Sequence, residues 1–346
     1  MQENKDFYSF AAANGYCGFK SYFKQVFTPS ELSRLYVLKG GPGTGKSSLM
    51  KRLLSSLEEK GYRGEAVLCS SDPSSLDGII VKGAERSIAM IDGTAPHTVD
   101  PVFPGARDEI VNLADNWEKR FLVAQDSEII DLSTAKARAY KQAYAYLELA
   151  GYASKILEDS LRERFDLQKA KRICAEIIPE KEYDTKARTR LFSCFGKSGL
   201  MHLDTPNSIA EKNYTVEGDA GELFLTLLAD RAAYLSCGAV ISPSPLNSRS
   251  KDAVYLEDGS VCYKAFGEGE KIDTDSLLTK KTDMAEEKAR TIQQDALNEA
   301  QRWFNIASDL HARLESIYTA SMDFTKWAET QARVLEESEN ILSGKE

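Results

Sequence analysis

The stretch LYVLKGGPGTGKSSLMKRL, residues 35–53, decides how this chain is to be read. An apolar run, Leu35–Leu38, leads into a glycine-rich turn, and an amphipathic run follows it. From Gly40 to Ser47 the turn fits G-x-x-x-x-G-K-[ST], a pattern that carries meaning between a strand and a helix. Gly40, Gly43 and Gly45 permit backbone conformations closed to other residues, so that successive N–H groups turn into one anion-sized nest. The start of the following helix adds the positive end of its dipole. The cradle so expected is Gly40, Gly41, Pro42, Gly43, Thr44, Gly45, Lys46, Ser47 and Ser48. Lys46 is expected on the β- and γ-phosphates of a nucleotide, and the Ser47 hydroxyl on Mg²⁺.

A Mg²⁺ ion held this way needs a second anchor, commonly an aspartate closing a buried strand. SIAMIDG supplies Asp92 after the apolar residues 88–91, so the expected metal ligands are Ser47 and Asp92. A strand-ending aspartate also suits a turn. Other candidates leave the same sheet edge, where α/β proteins place their ligands. CSSDPSSLDG offers Cys69, Asp72 and Asp77, and DGTAPH offers Thr94 and His97. Asp72 is a candidate general base, although its place before Pro73 equally suits a turn; His97 is a candidate γ-phosphate sensor. Gly93 stands where many ATPases carry a water-activating glutamate, so hydrolysis is expected to be slow, to use Asp72 or to need a partner. A transition-state arginine is sought among Arg86, Arg107, Arg188 and Arg190. No guanine-reading N-K-x-D occurs, which leaves ATP as the expected nucleotide.

Around this motif, the strands expected are Arg34–Lys39, Glu65–Ser70 and Ser87–Ile91, with a helix from Lys46 to about Lys60. Strand, helix and strands in that order predict a parallel α/β sheet. Between residues 106 and 178 there is no proline and one glycine, Gly151; after Pro245 there is no proline. Both regions read as helical arms, about 107–178 and 272–342. In the second arm Ile292, Ala296, Trp303, Ala307, Leu310, Leu314, Ile317, Phe324 and Trp327 recur at helical spacing, most simply as a packing face.

The 346 residues carry a net charge of −9, which argues against a nucleic-acid partner. Much of the acid lies late: residues 268–346 hold 10 basic and 17 acidic side chains. No apolar run approaches membrane-spanning length, and MQENKDFYSFAAANGY lacks the plan of a secretion signal, so no membrane partner and a cytoplasmic location are expected. Six cysteines without a C-x-x-C pair, with three histidines, argue against zinc and a disulfide framework.

The chain also shows internal similarity. GGPGTGKSSLM lies without gaps over GDAGELFLTLL, residues 218–228, so that Gly40 meets Gly218 and Gly43 meets Gly221. Further on, GEAVLCSS (64–71) lies over CGAVISPS (237–244). Gly45, Lys46 and Ser47 are replaced by Leu223, Phe224 and Leu225, and Glu222 would repel phosphate. The expected organisation is a duplicated P-loop NTPase fold. Residues 1–187 would carry the working loop and 188–346 a degenerate copy, each with its helical arm.

Taken together, LKGGPGTGKSSLM, CSSDPSSLD, IDGTAPH and DPVFPGA resemble an uncharacterised bacterial family of tandem P-loop proteins, loosely described as ATPases or nucleotide kinases. The resemblance spans nearly the whole chain and implies its architecture more than its chemistry. Three functions are expected in order: a slow Mg-dependent ATPase that moves its helical arms, a kinase acting on a nucleotide or small molecule with Asp72 as base, and an ATP-gated protein whose arms engage a protein partner.

Overall fold

The structure, a computed structural model, describes residues 7–96, 98–279 and 284–345. It is an α/β protein with two mixed, mostly parallel sheets and long helices. The chain forms two compact units. The first contains Met1–Ala11, Phe23–Lys141 and Phe304–Glu346; the second contains Ala12–Tyr22 and Gln142–Trp303. The expected halves, 1–187 and 188–346, are each threaded through both units.

In the first unit six strands form one sheet: β1 (Phe7–Phe10), β2 (Arg34–Lys39), β3 (Arg63–Leu68), β4 (Leu76–Lys82), β5 (Ser87–Asp92) and β6 (Asp108–Asn112), in the order β1-β3-β4-β5-β2-β6. Leu35–Leu38 of β2 are at most 2% exposed, as a continuous apolar run must be when both faces of a strand are covered. β2 lies parallel between β5 and β6. The expected parallel sheet is parallel in most of its pairs, but β4 runs antiparallel to both β3 and β5. The reason is length: residues 69–75 and 83–86 are too few for a crossover, which needs about a dozen. β6 likewise occupies what was expected to be the start of the first arm, whose long helix α2 (Asp126–Arg164) begins later.

Two helices cover this unit's core. α1 (Lys46–Glu58) buries Leu49, Met50, Leu53 and Leu57. The C-terminal helix α6 (Phe324–Leu342) adds Trp327, Val334 and Ile341 to the same cluster as Tyr36, Ile79 and Met90. Their seven-residue steps, two helical turns, keep the three side chains on one stripe. From the predicted packing face, Ala307, Leu314 and Trp327 are buried, whereas Ile292 and Phe324 are exposed.

The second unit repeats the strand order. Its sheet contains β7 (Arg188–Thr189), β8 (Lys212–Glu217), β9 (Ala239–Pro243), β10 (Lys251–Leu256), β11 (Val261–Lys264) and β12 (Glu270–Asp273), in the order β7-β9-β10-β11-β8-β12. The strand directions match as well, with β10 antiparallel to β9 and β11. Here α3 (Leu167–Ile177) and α4 (Gly221–Tyr234) share a core with Val216 and Val254. Residues 142–164 of α2 and 284–303 of α5 (Met284–Ala320) belong to this unit, and the remainder of each helix to the first. In this unit Arg164 pairs with Glu286 at 2.8 Å, both nearly fully buried.

Ile341 is 2% exposed within the first unit's core, so Ile341→Ala is expected to lower unfolding free energy by about 2–4 kcal/mol in urea titrations. An unchanged midpoint would contradict the assignment of α6 to that core.

Candidate functional site

The glycine loop joins β2 to α1 inside the first unit, with Gly45 as the helix's N-cap at φ 78° and ψ 18°. That left-handed conformation favours glycine, and it turns the first free N–H groups of α1 toward the loop. Within the loop, the Thr44 hydroxyl donates to the Gly41 carbonyl at 2.9 Å. The Lys46 ammonium donates to the carbonyls of Gly40 and Gly41 at 2.9 and 2.8 Å. It also lies 3.6 Å from Asp92 Oδ2, both side chains being largely buried. Sheet register brings them together: Asp92 stands opposite Leu38 on the adjacent parallel strand.

Asp92 is held from the other side, its Oδ1 accepting from the Thr94 amide at 2.9 Å and the Thr94 hydroxyl at 2.5 Å. Oδ2 remains on the Lys46 side. The Ser47 hydroxyl oxygen accepts the Leu76 amide at 3.0 Å, tying the start of α1 to β4. Mg²⁺ takes hard oxygen ligands, one or two from protein with the rest from phosphate and water. A hydroxyl at Ser47 and a carboxylate at Asp92 are donors of that kind. Lys39, which the motif does not include, donates to the carbonyls of Gly93 and Val99, each at 2.8 Å, and so fixes the segment leaving β5.

The remaining candidates separate. Asp72 Oδ1 accepts from the Ser74 hydroxyl at 2.9 Å and from the Ser74 amide at 3.4 Å, the arrangement of an Asx turn. His97 lies outside the described residues. Arg86 sits before β5, at the end of the strand opposite Asp92, and Arg107 stacks on Phe103. Arg188 and Arg190 belong to the second unit.

What the motif did not announce is the surface against which the loop packs. A Cβ placed on Gly43 would lie 2.5 Å from the Thr319 hydroxyl and 2.6 Å from the Glu315 carbonyl oxygen. One placed on Gly45 would lie 2.6 Å from Trp327 Nε1, and one on Gly41 would lie 3.2 Å from the Trp117 ring. Trp117 in turn meets Tyr318, ring centroids 5.1 Å apart. Backbone bonds fasten this hairpin of α5 and α6 beside the loop: Glu118 N donates to Ser321 O at 2.7 Å, and Asp323 N to Asn116 O at 2.7 Å. Trp327 carried only a packing signal in the sequence, and Trp117 carried none.

The second unit treats the matching segment differently. Three residues, 218–220, separate β8 from α4, so Leu223, Phe224 and Leu225 are helical, the last two buried. The Asp219 amide donates to the Asp275 carboxylate at 3.0 Å, and Asp219 pairs with Arg290 at 2.7 Å. Lys264, fully buried on β11, is bonded to Asn207 and Asn213, and burial lowers its pKa.

The turns after β3 and β9 carry the same bonds. Cys69 N donates to Ser75 O and Ser244 N to Ser250 O, while Ser75 N donates to Asp72 O and Ser250 N to Asn247 O. Asn247 thus makes in one turn the Asx bond that Asp72 makes in the other. The pairing across each turn carries a bulge, between Val67 and Leu68 at the end of β3 and between Ser242 and Pro243 at the end of β9. The bulges pair Val67 with Ser242, whereas the ungapped sequence match pairs it with Val240.

Asp252, beside the second bulge, is 4% exposed, and burial pushes its carboxyl up to about 7 against the pull of Ser193 and Ser242. A carboxyl raised above its unfolded value stabilises most while neutral. That contribution is complete below about pH 4 and is lost as pH rises through about 7. The stability of the wild type relative to Asp252→Asn is therefore expected to fall across that window in pH-dependent denaturation, and a flat difference would contradict it. Comparison of the chain with protein-family models, with curated proteins and with solved structures finds no match.

Proposed function

We propose that the chain binds Mg-ATP at the Gly40–Ser47 loop as a P-loop NTPase, hydrolyses it slowly, and couples nucleotide binding to the helical hairpin of α5 and α6. One observation carries this reading: the loop that presents Lys46 3.6 Å from Asp92 is the same loop whose Gly43 and Gly45 abut Thr319 and Trp327. A phosphate chain entering the nest draws Lys46 from the Gly40 and Gly41 carbonyls, and that rearrangement is felt directly by the hairpin. When bound, Mg²⁺ would be held by Ser47 and Asp92 and would offset charge on the phosphates.

Slow turnover follows from the residues around the loop. Gly93 offers no carboxylate, and its carbonyl is held by Lys39. Asp72 is committed to Ser74, and the uncharged Asn247 makes the same turn. This weighs against Asp72 as a general base and hence against the kinase reading. The matching strand orders, bulges and turns support duplication of one P-loop unit, the second copy having drawn its loop into α4. They fit the resemblance to tandem P-loop proteins. The helical arms remain the proposed surface for a protein partner. Among the described residues no helix is long and apolar enough to cross a membrane.

Calorimetry and phosphate release test the proposal. The wild type is expected to bind Mg-ATP, Lys46→Ala to bind about 100-fold more weakly, and phosphate release to be slow without any acceptor. ATP consumption that depends on an added nucleoside or nucleotide would instead support a kinase. Absence of Mg-ATP binding by the wild type would overturn the proposal.

A further inference from the structure

We infer that the indole N–H of Trp327 is a nucleotide-binding donor, kept for a phosphate oxygen of the ligand in the glycine loop. The inference rests on the nucleotide reading above and adds a residue supplied by the far end of the chain. Trp327 is 7% exposed, and its Nε1 has no hydrogen-bond partner among the described residues. Buried donors without acceptors are costly and therefore few in native proteins. This one abuts Gly45, the residue that caps α1 and precedes Lys46.

Two more such donors stand nearby in the chain segment bonded to the hairpin. Among the described residues Trp117 Nε1 also lacks a partner, its ring edge lying against Gly41, and Asn116, 5% exposed, leaves Nδ2 without an acceptor. All three orphaned atoms are donors. The loop's own free amides and Lys46 are donors too, so the ligand that completes the set must accept only, as a phosphate chain does. Lys46 is long and flexible enough to turn back onto the Gly40 and Gly41 carbonyls. The indole has no such freedom. It is wedged in the core beside Val334 and lies under the Arg52 guanidinium, 5.3 Å from the ring centroid.

Trp327→Phe keeps an aromatic ring in the core and removes the donor. The variant is expected to remain folded and to bind Mg-ATP and pyrophosphate about tenfold more weakly than the wild type. In wild-type protein with ¹⁵N-labelled tryptophan, three indole signals are available, one per tryptophan. The one missing from Trp327→Phe is expected to move downfield when Mg-ATP is added. If that variant does not fold, Trp117→Phe and Trp303→Phe identify the signal by elimination. Wild-type affinity in Trp327→Phe, or an unmoved Trp327 signal at saturating Mg-ATP, overturns the inference alone. A wild type that binds no Mg-ATP overturns the nucleotide reading and the inference with it.

Discussion

The absence of side chains at Gly43 and Gly45 is the constraint on which the first unit's arrangement depends. With no Cβ at these positions, the last turn of α5 and the indole of Trp327 come directly against the loop backbone. Both residues have positive φ, 69° and 78°, so an alanine would meet strain as well as collision. Glycine here serves two demands at once. It lets the amides converge as an anion nest requires, and it admits the hairpin that closes around the loop.

Close approach of this kind is what the proposed coupling of nucleotide binding to the hairpin rests on. The hairpin is fastened at its turn by backbone bonds to Asn116 and Glu118, and its second helix supplies core residues down to Leu342. A ligand that alters the loop therefore acts on a packed element, and packed elements shift as bodies. In the second unit the same sheet order supports no open loop. Asp275 takes up the Asp219 amide, and Phe224 and Leu225 enter the core. The first unit keeps an extended glycine turn at this place, whereas the second bonds the turn to Asp275 and continues it as helix.

Part of the site is legible in the residues themselves. Residues 34–39, the turn at 40–45 and the helix from Lys46 follow from apolar run, glycine spacing and amphipathic pattern, and Asp92 does end a buried strand beside them. β4 escapes such a reading because CSSDPSSLDG has the composition of one long turn, although a strand already begins at its Leu76. β6 escapes it because DEIVN is short and precedes a helical region. Asp72 looks chemical in the sequence because a carboxylate before Pro73 fits either role, and its bond to Ser74 appears only in the folded turn.

The sequence by itself determined the local chemistry: a glycine-rich turn between strand and helix, a lysine and a hydroxyl at its end, and long amphipathic helices. Such patterns act over a few residues, and their physics is local. Which helix covers which sheet was decided only by tertiary packing. An amphipathic stripe states that a face is to be buried, not against what, and α3 and α6 both meet that requirement. The fold sends α6 to the sheet of β1–β6 and α3 to the sheet of β7–β12, where apolar area and shape are satisfied together. Trp327 thereby arrives at Gly45 from 282 positions along the chain.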